Sequence, residues 1–114
     1  MSNEEKNVDM VNHPPHYEGN TSLECIKVMK LIFGVEAVCY FCLCNAFKYL
    51  WRYKNKNGQQ DIEKARWYLD FVDHELEVND EGSLPEWQKI NGLYRRLDDL
   101  YIDITDYIST YGIE

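Results

Sequence analysis

A long apolar segment, from about Glu36 to about Asn55, constrains the fold of this chain more than any other feature. Drawn as a helix, it carries apolar side chains on nearly every side: Ala37, Val38, Tyr40, Phe41, Leu43, Ala46, Phe47, Leu50 and Trp51. A helix that is apolar all round lies buried at the centre of a fold. Lys48 and Arg52 make the segment a poor membrane span. The sequence therefore predicts a central helix surrounded by other helices.

The segment before it is predicted to form helix one, from Thr21 to Phe33. Thr21 and Glu24 have the spacing of a capping box, in which both side chains accept hydrogen bonds from backbone N–H groups. Gly34 then provides a left-handed helix ending.

Helix three is predicted from about Asp61 to about Val78, after a turn at Asn57 and Gly58. Asp61 occupies the expected N-cap position. Apolar residues spaced by three and four form one stripe along this helix: Ile62, Ala65, Leu69, Val72 and Leu76. The short turn makes helices two and three antiparallel neighbours.

Helix four begins at a second capping box formed by Ser83 and Glu86, with Pro85 in its first turn. An unbroken apolar stripe follows, at spacings of three and four: Trp87, Ile90, Tyr94, Leu97, Tyr101, Ile104, Ile108 and Tyr111. Leu93, Leu100 and Tyr107 widen it. A stripe this wide predicts a homo-oligomer, most simply a dimer.

These segments together predict an all-α fold, a small helical bundle of about four helices with an extended N-terminal arm. Residues 21–114 are expected to form a single helical domain of ordinary size. Residues 1–20 are expected to form a flexible arm, since two consecutive prolines at 14 and 15 favour an extended course.

Positive charge is concentrated in the middle of an acidic chain. The net charge is −8, yet residues 48–66 contain six basic and only two acidic residues. A protein that binds bulk nucleic acid usually has a dominant basic face, which this chain lacks. An acidic surround repels long polyanions but leaves a local basic site open to a small anion.

The basic residues are predicted to converge at the hairpin between helices two and three. Asn45, Lys48 and Arg52 fall on one helical face, at i, i+3 and i+7. The turn and the start of helix three add three further bases: Lys54, Lys56 and Lys64. Lysine, arginine, asparagine and helix-end N–H donors together suit a phosphate group. The alternative is that Lys48 and Arg52 pair with acids of helix three or four.

The cysteines indicate a reducing compartment rather than a metal site. No signal peptide precedes Cys25, and Cys39, Cys42 and Cys44 fall inside the apolar helix, where cysteine acts as a small hydrophobic residue. We expect a cytoplasmic protein with reduced thiols, no zinc and no disulfide.

Four stretches of this sequence resemble a phage and prophage family that is usually called SaV-like, or a domain of unknown function. The resemblance covers about residues 12–77 and rests on residues 13–17, on residues 24–26 and 41–52, and on residues 61–69. Members are often labelled nucleotide kinases. Helix four lies outside the resemblance.

The resemblance implies a phage accessory protein that binds or acts on nucleotides in the cytoplasm of the host cell. The residues it marks are His16, Tyr17, Asn45, Lys48, Arg52, Lys56, Asp61 and Lys64, with Lys54 as the alternative to Lys56. It leaves open a Mg²⁺ ion that accompanies the nucleotide. The chain has no G-x-x-x-x-G-K-[ST] loop and no clear acidic pair for magnesium, so turnover is also left open.

Two alternatives to an enzyme remain from the sequence. One is a non-catalytic protein that sequesters a nucleotide, including a cyclic nucleotide signal of host anti-phage defence. The other is a protein-interaction module that uses the stripe of helix four.

Overall fold

The computed structural model describes residues 22–79 and 84–113. It contains helices α1 (Ser22–Phe33), α2 (Val35–Arg52), α3 (Gln59–Val78) and α4 (Pro85–Tyr111), and the short 3-10 helix Tyr53–Asn55 follows α2. No strand occurs in the described ranges, so the predicted all-α bundle of four helices is confirmed. The arm predicted for residues 1–20 and the caps predicted at Thr21 and Ser83 lie outside these ranges.

Helix α2 is the centre of the bundle, because it contacts α1, α3 and α4. Its most extensive partner is α3, and α4 packs across both. The Cα atoms span 41 × 37 × 18 Å, so the fold is a slab rather than a sphere. The core beneath α1 and α4 contains ten buried residues: Ile26, Val38, Cys39, Cys42, Leu43, Ala46, Leu69, Val72, Trp87 and Ile90. A second core cluster lies at the hairpin between α2 and α3: Leu50, Tyr53, Ile62 and Ala65.

The helix boundaries differ from the predicted ones at the two capping positions. Helix α3 begins at Gln59, so Asp61 occupies the third helical position and Gly58 is the N-cap. Gly58 has φ = 55° and ψ = −122°, a backbone conformation that only glycine adopts without strain. Helix α4 begins at Pro85, and Leu84 occupies its N-cap position. A capping motif in sequence therefore located both helices but missed their first residues.

The prediction that helix two is buried on all sides is wrong for one face. Val38, Cys39 and Cys42 lie in the core, yet Phe41 and Trp51 are exposed. No helix among the described residues combines the length and apolar character that a membrane span needs. The apolar composition of α2 therefore marks a core face and a second, uncovered apolar face.

The apolar stripe of helix four packs largely on the chain's own core. Trp87 and Ile90 are buried, and Tyr94, Leu97 and Tyr101 lie partly buried against the core cluster. Towards the C-terminus, the stripe covers the hairpin cluster. Most of the area that suggested a homo-oligomer is therefore used inside the chain, and oligomerisation through α4 stays a prediction.

The thiols fall into two environments. Cys39 and Cys42 are completely buried, as expected for small hydrophobic residues, whereas Cys25 and Cys44 are exposed. Burial raises the pKa of Cys39 to about 12, with the nearby Glu75 carboxylate adding to the effect. Burial also raises the pKa of Cys42. The expectation of a buried thiol at position 44 is wrong, because this residue lies on the uncovered face of α2.

Candidate functional site

Three basic side chains converge on the ring of Tyr49, a half-buried residue of α2. Lys48 Nζ lies 4.9 Å from the ring centroid, and Arg52 Cζ lies 4.8 Å from it. Lys64 Nζ reaches the same ring from α3, at 5.4 Å. We call Lys48, Arg52, Lys64 and the Tyr49 ring the basic cluster. The predicted convergence of positive charge at the hairpin is therefore present for these three bases.

The ring of Tyr49 is held in place by an aromatic neighbour on α3. It stacks on Tyr68, with centroids 6.0 Å apart and an interplanar angle of 11°. Tyr68 also contacts Trp67 and Phe41 edge-on. Aromatic pairs in such geometries add about 0.5–1.5 kcal/mol beyond the area they bury. The stack therefore ties α2 to α3 and fixes the surface around which the three cations gather.

Arg52 is the member of the basic cluster that is paired with an acid. Its Nε and Nη2 donate to Asp61 Oδ2 and Oδ1, each at 3.3 Å. The Asp61 side chain is 0 % exposed, whereas Arg52 is 32 % exposed. The two-pronged contact satisfies a carboxylate that would otherwise be buried without a counter-charge. The alternative that Arg52 pairs with an acid of helix three is therefore present in the structure, and it leaves Nη1 outside the pair.

Asp61 also occupies the N-terminal end of α3. The Asn57 backbone N–H donates to Asp61 Oδ2 at 3.1 Å. The backbone N–H groups of Gln60 and Asp61 donate to carbonyls of the turn, at Asn57 and Gly58. The helix end thus attracts an anion, as expected, but that anion is the chain's own carboxylate. Two N–H groups of this helix end, those of residues 60 and 61, are therefore already engaged.

The remaining predicted site residues lie around this cluster or outside the described ranges. Asn45 is half-buried and one turn before Tyr49 on α2. Lys54 Nζ lies over the Tyr107 ring of α4 at 5.1 Å, and Lys56 is exposed in the turn. The structure therefore places Lys54 with α4 rather than with Tyr49. His16 and Tyr17 lie outside the described residues.

Lys48 and Lys64 differ from Arg52 in lacking an acid partner among the described residues. The ion pairs there involve Lys30, Arg52 and Arg66. The ammonium groups of Lys48 and Lys64 both lie within 5.4 Å of the Tyr49 ring centroid, so their separation is at most about twice that distance. Like charges this close repel one another. An anion bound between them would remove that repulsion.

Tyr49 and Tyr68 are the residues that sequence reasoning did not select. Their signal was present as spacing: Lys64 and Tyr68 are four residues apart on one helix face, and Tyr49 directly follows Lys48. Spacing alone does not tell a core tyrosine from one that organises cations. No group of three or more histidine, cysteine or acidic residues suited to a metal ion occurs among the described residues.

Comparison with known proteins gives one informative result. A family model described as a protein of unknown function (DUF3310) matches residues 11–70. Searches of curated proteins and of solved structures found no match. The matched range covers more than half of the 114 residues and includes the whole basic cluster, whereas α4 lies beyond it. The chain therefore belongs to the DUF3310 family of proteins of unknown function.

Proposed function

We propose that the basic cluster binds the phosphate group of a nucleotide or a related phosphorylated small molecule. The observation that carries the proposal is the gathering of Lys48, Arg52 and Lys64 around one tyrosine ring. Among the described residues, Arg52 alone of the three is paired with an acid, Asp61, so a net positive charge remains at the cluster of an otherwise acidic chain. A small anion is the partner that relieves this imbalance.

The donor chemistry matches phosphate in particular. Lys48 and Lys64 supply two compact positive charges, and each ammonium has three N–H donors. Arg52 keeps Nη1 outside its contact with Asp61 and is one-third exposed, so part of the guanidinium can still face a ligand. The Asp61 carboxylate positions Arg52, and a ligand could contact Asp61 only after displacing Arg52. Asp61 is therefore a positioning residue in this proposal.

The ligand class comes from the resemblance of the sequence to the SaV-like phage and prophage family. Members of that family are often labelled nucleotide kinases, which suggests a phage accessory protein acting in the host cytoplasm. Both Asp61 oxygens accept hydrogen bonds from protein groups. A Mg²⁺ ion brought by the nucleotide would therefore be held mainly by the phosphate oxygens.

A sequestering protein is the second candidate. The feature that favours a sequestering protein is the pairing of Asp61 with Arg52. Without this pairing, the Asp61 carboxylate would be a candidate general base or metal ligand beside the basic cluster. Phosphoryl transfer needs a nucleophile-orienting group and a charge-neutralising cation. Such a sponge would hold a nucleotide, including a cyclic defence signal, without turning it over. Incubation with ATP, Mg²⁺ and a nucleoside monophosphate separates the two candidates, because only the kinase-like protein forms ADP.

A protein-interaction module is the third candidate. The sequence predicted a homo-oligomer or a host-protein contact through helix four, and the chain's own core covers most of that stripe. Ile102 and Tyr107 remain half-exposed on that helix and would be the contact residues for a host protein.

Titration calorimetry with a panel of mononucleotides and cyclic nucleotides tests the proposed site. We expect Lys48→Ala and Lys64→Ala each to weaken binding by roughly ten- to a hundredfold, since a charge-assisted hydrogen bond contributes about 1.5–3 kcal/mol. Lys89→Ala is the matched control, because Lys89 Nζ lies over another tyrosine ring, that of Tyr40, at 5.7 Å. Lys89→Ala should bind as the wild type does. Absence of binding across the panel, or equal losses in all three variants, would contradict the proposal.

A further inference from the structure

The outer face of α2 exposes an apolar stripe. It consists of Ala37, Phe41, Cys44, Phe47 and Trp51, all of them exposed, and we call it the α2 stripe. Trp51 is 77 % exposed, and Phe41 and Phe47 are 42 % and 46 % exposed. The Phe47 and Trp51 rings contact each other, with centroids 5.8 Å apart. Large aromatic side chains this exposed on a core helix are typical of an interaction surface.

The order of residues in the α2 stripe is symmetric about Cys44. Phe41 and Phe47 lie three residues to either side of it, and Ala37 and Trp51 lie seven residues to either side. A second α2 that crossed antiparallel at Cys44 would set Phe41 opposite the other Phe47. It would also set Ala37, the smallest member, opposite Trp51, the largest. Facing small and large residues is the way that helices interdigitate.

The antiparallel arrangement also suits the electrostatics of α2. The two helix dipoles oppose each other favourably in an antiparallel pair. Lys48 falls within the exposed face, but its ammonium lies over the Tyr49 ring. The α2 stripe is thus complementary to itself in size.

Further exposed apolar residues precede the stripe along the chain. Leu31, Ile32 and Phe33 end α1 and are 86 %, 67 % and 65 % exposed, and Gly34 alone separates them from α2. They come shortly before Ala37, the first member of the stripe. Specific stable interfaces bury about 800 Å² per partner, which one helix stripe rarely supplies alone.

We propose that two copies of this chain associate through an antiparallel, two-fold symmetric contact of their α2 stripes, with the two Cys44 residues at the symmetry axis. This contact is isologous, since the same patch serves both subunits. It lies on α2, not on the stripe of α4 that the sequence favoured. The proposal does not depend on the function proposed for the basic cluster, because no residue of the α2 stripe belongs to that cluster.

Crosslinking with a short bismaleimide tests the symmetry axis. We expect wild-type protein and Cys25→Ser to give a covalent dimer, and Cys44→Ser to remain monomeric on a denaturing gel. Cys39 and Cys42 are buried and do not compete for the reagent. Equal crosslinking of wild type and Cys44→Ser would overturn the proposal, as would crosslinking that requires Cys25.

Analytical ultracentrifugation tests the surface without using a thiol. Trp51→Glu should weaken self-association at least a hundredfold, because it places a carboxylate against the apolar stripe of the second copy. Ile102→Glu, at an exposed position of α4, is the matched control and should associate as the wild type does. Circular dichroism checks that each variant is folded. The proposal is overturned if wild-type protein stays monomeric at about 0.1 mM, a concentration at which contacts of micromolar affinity are saturated. The reverse response of the two variants would also overturn it and would assign the contact to α4.

Discussion

The pair between Arg52 and Asp61 gives the sharpest prediction for stability. Arg52→Ala leaves the Asp61 carboxylate, which is 0 % exposed, with the Asn57 N–H as its one donor among the described residues. Removing one partner of a buried ion pair costs about 3–5 kcal/mol. Arg52 is 32 % exposed, so water entering its place reduces the loss, and we expect about 3 kcal/mol. In a domain of this size, that loss lowers the melting temperature by roughly 10 °C.

Arg66→Ala is the matched control for this substitution. Arg66 has a nearly equal exposure of 28 %, and its Cζ lies over the Tyr101 ring at 4.8 Å, the same distance as that between Arg52 and Tyr49. Its acid partners, Asp70 and Asp98, are 66 % and 29 % exposed and can be hydrated when the arginine is lost. We therefore expect Arg66→Ala to cost about 1 kcal/mol.

Urea unfolding followed by circular dichroism measures both losses. The double variant Arg52→Ala, Asp61→Asn should be more stable than Arg52→Ala by about 1–2 kcal/mol, because no buried carboxylate is then left without its counter-charge. Equal losses for Arg52→Ala and Arg66→Ala would refute the reasoning, since they would show that burial of the acid does not set the cost. So would a double variant whose loss is the plain sum of the two single losses.

Two further predictions follow from the core and from the backbone. At mildly alkaline pH, the exposed thiols of Cys25 and Cys44 should react rapidly with a thiol reagent. Cys39 and Cys42 should react only slowly, because burial raises the pKa of both thiols. All four should react once the protein is unfolded in urea. Gly58→Ala should destabilise the fold by about 1–2 kcal/mol, because the φ angle of Gly58 is +55°. Gly92 lies in open space within α4, so Gly92→Ala should stabilise the fold by about 1 kcal/mol. Urea unfolding measures both changes.

The helices could be predicted from sequence because each carries a periodic apolar pattern. The stripe of α3 is the clearest case: four of its five members, Ile62, Ala65, Leu69 and Val72, are fully buried. The start of that helix was missed, because an acid at the third helical position gives the same sequence signal as an N-cap. Gly58 forms the cap instead, through a backbone conformation that spacing does not reveal.

The uncovered face of α2 could not be predicted, because periodicity reports apolar faces and not what covers them. Phe41 and Leu43 are both apolar and both in α2, yet one is exposed and the other buried. The opposite error occurred for helix four, where a wide stripe suggested a partner and the chain's own core covers most of it. Which stripe is covered depends on the packing of all four helices.

The basic cluster was predictable in part. Lys48 and Arg52 were assigned to one face from their spacing, and the short turn brought Lys64 to the same end of the bundle. The role of Tyr49 as the shared centre was missed, since a tyrosine in an apolar helix ordinarily indicates core. The choice between a ligand and an acid as the partner of Arg52 needed the structure, which shows Asp61 against it.

Nuclear magnetic resonance mapping of ligand binding tests the central claim most directly. Backbone amide spectra of the wild-type protein would be recorded in two titrations, one with a nucleoside monophosphate and one with inorganic phosphate. We predict saturable shifts centred on Lys48, Tyr49 and Lys64 with both ligands, and loss of those shifts in Lys48→Ala. Spectra that do not change with either ligand, or shifts confined to α4, would contradict the assignment of the basic cluster as a phosphate site.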